Sequence, residues 1–408
     1  MSLVYDLVLY LLVAIFCPKL LYDYLFRGKY RASLTARIAP VPPKITKKPV
    51  IWLHAVSVGE TKALATLVPH IRRDYPEAFI YVTTVSETGY READRKIAAI
   101  DAVGYLPLDF SWIVNGFIRK LNPSLLILVE GDYWFNLMRA VKCNGGKIVV
   151  VNGKLSEKSV KRYSAVRFFS RQMFSAVDHF CIQGESYRCR FLKLGIRPEN
   201  LTITGNLKFD IPGERGGDSK RLRKHFDLGP KDRVLTLGST HEGEEKLLYK
   251  SLTPALTSDP HLKVLVVPRH PERFSRVKNL IRHPQVTVVD QMGILAKCYR
   301  LSDLAIVGGS FIEGVGGHDI FEPAKMGIPT LHGPYMDRQV DLSRDMSRSG
   351  AALKVTTDDL LEAVEKLLND SRLHLEMGRK GTTFARKVTG ASARTWKRIA
   401  SNISLENN

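Results

Sequence analysis

A chain of 408 residues is too long for one ordinary core and points to two domains of similar size. Its 44% apolar and 25% charged residues exclude wholesale disorder, while a net charge of +20 calls for anionic partners: nucleic acid, a phospholipid surface or a phosphorylated substrate. Five scattered cysteines (Cys17, Cys143, Cys181, Cys189, Cys298) form no CxxC pair, which speaks against a zinc site and a disulfide framework and for a reducing compartment.

Leu3 to Phe16 is almost continuously apolar, broken by Asp6 and followed by Pro18 and Lys19. It lacks the basic start and small-residue cleavage site of a secretory signal. Arg27, Lys29, Arg31 and Arg37 then supply a basic flank suited to the cytoplasmic leaflet of a membrane. Residues 1–30 therefore read as a membrane anchor, inserted or short-spanning, and a buried core helix is the weaker alternative. Because the segment precedes both predicted sheets, the body is expected to fold without residues 1–26.

After the connector Pro40-Val41-Pro42-Pro43, Val50–Ala55 reads as a buried strand, followed by a turn at Ser57-Val58-Gly59 and a helix from about Glu60 to Arg73. Phe79–Thr84, Leu125–Val129, Lys147–Asn152, His179–Gln183 and Leu201–Gly205 read as further strands with helical segments between them. Pro212 to Asp218 has no apolar periodicity and reads as the interdomain linker. The rhythm restarts with Val234–Leu237, Lys263–Val267, Val286–Val289, Leu304–Val307 and Thr330–Leu331, and ends on helices over Asp359–Asn369 and Thr389–Ile403. The fold class is α/β, two Rossmann-like parallel-sheet domains facing a cleft. The first covers residues 31–212 and the second 213–408, with the last helix able to pack back on the first.

The basic excess is concentrated in residues 1–210, with 30 basic against 17 acidic side chains. It is densest at Lys154, Lys158, Lys161, Arg162, Arg167 and Arg171, for which a solvated basic face is an equally good reading. No GxGxxG follows the first strand and no GxxxxGK[ST] occurs, so dinucleotide oxidoreductases and P-loop NTPases lose their best support. Glu130-Gly131-Asp132 ends a strand, but two carboxylates alone are a weak metal site. Glu60 opens a helix just past a strand, where it can cap the helix or act as a general base; spacing alone favours the cap. Arg269 stands at a second-domain strand end and can hold a phosphate or carboxylate. Gly238-Ser239-Thr240 and Gly308-Gly309-Ser310 read as loops whose N–H groups can approach an anion, and Glu322 can accept from ribose hydroxyls.

Eight segments carry a resemblance that none of these features has alone: HAVSVGE (54–60), TTVSETG (83–89), YLPLD (105–109), EGDYWFN (130–136), NGKLSEKS (152–159), TGNLKFD (204–210), PRHPER (268–273) and GGHDIFEPA (316–324). In this order, spread over residues 50 to 340, they resemble the signature blocks of the Kdo transferases (Kdo, 3-deoxy-D-manno-octulosonic acid). The resemblance implies an inverting, metal-independent GT-B glycosyltransferase that moves Kdo from CMP-Kdo to an acylated, phosphorylated lipid A precursor at the cytoplasmic side of the inner membrane. It implies no cofactor, and the absence of aromatic-basic interleaving or a recognised binding module speaks against a nucleic-acid partner. By it Glu60 matches the proton acceptor, and Glu130 and Lys208 match residues that stabilise the transition state. Pro268, Arg269, Gly293, Ile294, Leu295, Asp319, Ile320, Phe321 and Glu322 match the CMP-binding stretches.

The chain departs from the family pattern at EGDYWF for ETELWP, NGKLS for NARLS, Gly293-Ile294-Leu295 for GEL, and GGHD for GGHN. The first two departures resemble members that add more than two Kdo units. The alternatives are a GT-B enzyme using a UDP-sugar on another lipid-linked acceptor and, far behind, a membrane-tethered nucleic-acid binder suggested by charge alone.

Overall fold

The computed structural model describes residues 2–27, 33–212 and 219–403. Lys29 and Arg31 of the basic flank and residues 213–218 of the linker lie outside them. The chain divides into two compact units, Met1–Ile211 with Thr389–Asn408, and Pro212–Val388.

The first unit is built on a parallel sheet of β1 (Val50–Ala55), β2 (Phe79–Thr84), β3 (Ala102–Tyr105), β4 (Leu125–Val129), β5 (Lys147–Gly153), β6 (His179–Ile182) and β7 (Leu201–Ile203), in the order β3-β2-β1-β4-β5-β6-β7. Alternation along the strands divides the core in two. Val50, Trp52, Leu126, Leu128, Ile148 and Val150 face one side, and Ile51, Leu53, Ile127, Val129, Val149 and Val151 the other. Both faces are covered by helices, so β1, β2 and β4 are buried throughout, which is why they read as largely apolar runs, with His54, Thr83 and Thr84 the buried polar exceptions.

The second unit repeats the plan with β8 (Arg233–Thr240), β9 (Leu262–Pro268), β10 (Val286–Val288), β11 (Leu304–Val307), β12 (Thr330–His332) and β13 (Leu353–Lys354), in the order β10-β9-β8-β11-β12-β13. In each sheet the strand order reverses beside the first strand, between β1 and β4 and between β8 and β11. Ligands of open parallel sheets bind beyond the strand ends at that reversal.

Two strands escape the sequence reading. β3 is a half-exposed edge strand whose Gly104 lies on the Tyr81 hydroxyl, where a Cβ would come within 2.1 Å. β13 is a two-residue edge. The helix expected over 60–73 is two, Val58–Ala65 and Val68–Asp74. Pro69 has no N–H to offer the carbonyl of Ala65, so the first helix cannot run on.

The last helix, Ala391–Asn402, belongs to the first unit. Trp396 is buried against that unit's core, its indole donates to Asp74 at 2.7 Å and its ring meets Tyr75 edge-on. The Asp210 carboxylate fills the cap, accepting from Gly390 N, Ser392 N and Ser392 Oγ, each at 2.6 Å.

Ser2–Leu25 forms one helix, with Pro18 inside it, and its first eighteen residues are long and apolar enough to cross a membrane. It is almost wholly exposed, which is not the burial of a core helix, yet its first turns are attached to the unit. Asp6, only 6% exposed, accepts from Ser111 N at 3.1 Å, Ser111 Oγ at 2.5 Å and Asn136 Nδ2 at 2.7 Å. Tyr5 stacks on Phe169 and packs on Phe135, and Tyr10 stacks on Phe110 and accepts from the Trp112 indole. The polar break in the apolar run is thus the point of attachment, and removing the helix uncovers these aromatic faces. Asp6→Ala is expected to lower stability by about 1–3 kcal/mol, since the buried donors lose their acceptor. Denaturant unfolding of the full chain in detergent measures this, and an unchanged midpoint would make the contacts incidental.

Candidate functional site

Glu60 lies in the first turn of the helix that follows β1, the strand at the reversal of the first sheet. Its carboxylate accepts from Val56 N at 2.8 Å and Ser57 Oγ at 2.9 Å, while Ser57 Oγ accepts from Glu60 N at 3.3 Å. This is a variant of the capping box in which the carboxylate reaches the amide before the N-cap Ser57, so the cap expected from spacing exists, and it also fixes where the carboxylate points. His54, in the same motif, is core: it is fully buried, its Nδ1 bonds Thr83, and burial with the nearby Arg37 charge holds it down at about 3.

Glu130 follows β4, the other strand of the reversal, and is 5% exposed. Its backbone is left-handed, φ +65°, a conformation that costs a non-glycine residue about 1–3 kcal/mol and concentrates at functional sites. Lys208 Nζ contacts one carboxylate oxygen at 2.6 Å, Lys154 Nζ holds the other, and Asn152 Nδ2 donates at 3.3 Å. Burial raises the carboxyl's pKa, but Lys208 and Lys154 together outweigh it and hold Glu130 below the usual carboxylate range. Asn152 also accepts from Leu207 N at 2.9 Å, and Asn206 Oδ1 accepts from Lys208 N at 3.0 Å, which sets the stem of Lys208. That stem passes over Gly59, where a Cβ would lie 4.0 Å from Lys208 Cε.

Glu60, Glu130 and Lys208 therefore converge beyond the ends of the central strands β1 and β4, joined by Lys154 and Asn152. Those two were legible only as part of a basic run and of the NGKLS block. Asp132 stands among them: burial first, then the charges of Glu60 and Glu130, lift it to about 7, so near neutrality it can donate a hydrogen bond.

In the second unit Pro268 ends β9 and Arg269 follows, exposed, its N–H bonded to Thr240 O at 3.0 Å at the end of β8. Gly293 takes φ +77° and leads into the helix Leu295–Leu301, whose neighbour is the helix Phe321–Lys325. Ile294, Ile320 and Phe321 are buried and serve the core through their side chains, and Leu295 packs partly against it. Asp319 Oδ1 accepts from Phe321 N at 2.9 Å, an Asx turn that asparagine makes equally well, which explains how GGHD replaces GGHN. Glu322 enters its helix half-buried, close enough to raise the buried Tyr299 phenol after burial itself.

One expected anion loop is already occupied. The buried Glu244 carboxylate accepts from Gly309 N at 2.7 Å, Ser310 N at 3.2 Å and Phe311 N at 3.0 Å. These amides shape the end of β11 and have no free N–H for a ligand. Glu245 is likewise committed, paired with Arg273 at 2.7 and 3.0 Å.

Residues 32–211 match the family profile of 3-deoxy-D-manno-octulosonic-acid transferase (kdotransferase). The 3-deoxy-D-manno-octulosonic acid transferase of Chlamydia muridarum is 32% identical over 99% of this chain and 98% of its own length. That of Haemophilus influenzae is 32% identical over 84% of this chain and 85% of its own. A solved UDP-N-acetylglucosamine 2-epimerase shares the fold alone, with a TM-score of 0.63 at 13% identity over 89% of this chain and 99% of its own. Two parallel Rossmann-like sheets, and a third of all residues identical over essentially the whole length of a relative, mean that this chain belongs to the 3-deoxy-D-manno-octulosonic acid transferase family of glycosyltransferases.

Proposed function

We propose that the chain transfers Kdo from CMP-Kdo to a hydroxyl of a phosphorylated, acylated lipid A precursor at the cytoplasmic side of the inner membrane. The observation that carries this reading is the group of Glu60, Glu130, Lys208 and Lys154 at the reversal of the first sheet. Glu60 takes the proton of the acceptor hydroxyl as its oxygen bonds to the anomeric carbon of Kdo. The bond from that carbon to the phosphate breaks, and CMP leaves with the electron pair. Lys208 and Lys154 supply positive charge to the anionic groups involved, and Glu130 keeps the two ammonium groups ordered. Arg269 and the stretches Gly293–Leu295 and Asp319–Glu322 hold the nucleotide. The exposed Val166 and Phe168, among Arg162, Arg167 and Arg171, adjoin Phe169, on which the N-terminal helix rests; such a surface suits an anionic bilayer.

Purified protein in detergent, given lipid A precursor and either CMP-Kdo or UDP-sugars, tests the reading. Product from CMP-Kdo alone is expected, and its mass reports how many Kdo units are added. Transfer from a UDP-sugar with none from CMP-Kdo would overturn it. Arg269→Ala is expected to weaken CMP binding by about tenfold or more, because a charged partner of the phosphate is gone. Titration calorimetry measures this, and unchanged affinity would move the phosphate elsewhere. Activity is expected to survive excess EDTA, since both Glu130 oxygens are held by lysines; loss restored by magnesium or manganese would reassign that carboxylate to a metal.

A further inference from the structure

Three histidines meet at the end of the second sheet. His241 follows β8, His270 follows β9, and His318 comes in on the loop after β11. Nε2 of His241 and Nε2 of His318 are 2.7 Å apart, and the rings stack with centroids 5.0 Å apart at 13°. His270 stands edge-on to His241, centroids 5.1 Å apart at 82°. Nitrogens this close share one proton. In the neutral pair one Nδ1 is left bare, and a proton added there makes a cation without breaking the hydrogen bond.

The pair is fixed in place beside Arg269. His318 lies against Gly309, where a Cβ would come within 2.8 Å of its ring. His241 follows Thr240, whose carbonyl accepts from Arg269 N. The charged and titratable groups around the pair are Arg269, His270 and Arg273 from the end of β9, Glu244 and Glu245 from the helix after β8, and Arg338, with Asp319 and Glu322 just beyond His318. Glu242 stands beside His241 but is paired with Arg276, and Glu272 lies 3.7 Å from His270 Nδ1. Arg273 neutralises Glu245 and backbone amides enclose Glu244, so the field at the rings is positive.

We infer that His241 and His318 form a proton-accepting clasp for the nucleotide phosphate, taking one proton from solvent at the bare Nδ1 when the anion docks at Arg269. This rests on the reading that the second unit binds CMP. Without the anion, burial and the neighbouring positive charges push His318 down to about 4 and His241 below its ordinary value, so the pair is neutral near pH 7. A bound phosphate reverses the field and favours the charged form. Affinity for the nucleotide then tightens as pH falls through the bound-state value toward the lower free-state one, by up to about tenfold per pH unit.

Calorimetry of CMP binding to the full-length protein, in buffers of different ionisation enthalpy, counts the protons. Near pH 6.5, wild type is expected to take up about half to one proton more than His318→Gln or His241→Gln. Comparison with the variants cancels the phosphate's own titration, and glutamine keeps a polar partner that takes no proton. The affinity advantage of wild type over the variants is expected to shrink as pH rises from about 6 to about 8. Equal proton counts and a constant affinity ratio would overturn the clasp alone. Wild type that fails to bind CMP would overturn the nucleotide reading along with it. Histidine ring NMR of wild type, with and without CMP, needs no variant to fold: a pair whose titration stays unmoved by CMP also overturns the clasp.

Discussion

Glu60→Gln is expected to lower the single-turnover rate of transfer by about a hundredfold to ten-thousandfold, the usual loss for removing a general base. CMP affinity is expected to stay at the wild-type value, because the nucleotide residues belong to the other unit. The amide is nearly isosteric and its carbonyl still accepts one of the two hydrogen bonds from Val56 N and Ser57 Oγ. The cap is therefore weakened by only about 0.5–1 kcal/mol, too little to unfold the unit. Each carboxylate oxygen keeps a second lone pair for an incoming hydroxyl, so capping and proton transfer are compatible in one side chain. Rapid-quench transfer, thermal unfolding and CMP titration on the same preparation separate the two roles. Turnover near wild type, with only the unfolding temperature lowered, would leave Glu60 a cap and the reaction without its base.

Glu130→Gln is expected to cost about a hundredfold to a thousandfold in transfer by disordering Lys154 and Lys208, the size of effect seen when one preorganised electrostatic partner is lost. The stability loss is smaller, about 1–2 kcal/mol, because the two lysine side chains are 45% and 38% exposed and can turn to water. The sign of the pH dependence follows from the depressed pKa of Glu130. Its stabilisation is present above the unfolded carboxyl value and is lost as pH falls through the lower folded value. Wild type and variant should thus differ most in unfolding free energy near neutrality and converge in strong acid. Equal stability at neutral pH would mean that the ion pairs contribute nothing to the fold, and equal turnover would remove Glu130 from the mechanism.

The residues of β1, β4 and β11 announced themselves because a parallel strand covered on both faces is apolar at nearly every position. Glu60 was equally legible, as a carboxylate just past such a strand, and the Asx turn at Asp319 depends on a local side chain alone. The sequence by itself thus determined the two-sheet plan, the strand-end residues and the family. Other features came from partners far apart in the chain, which leave no period to read. Lys154 and Lys208 come from different strand ends to grip Glu130, Glu244 takes the amides that a glycine loop offered, and Asp210 caps a helix that returns from beyond the second unit. Asp6 looked like a flaw in an apolar helix until Ser111 and Asn136 surrounded it. A buried polar group must find its partner wherever folding brings one within reach, and only the tertiary structure decides which partner that is.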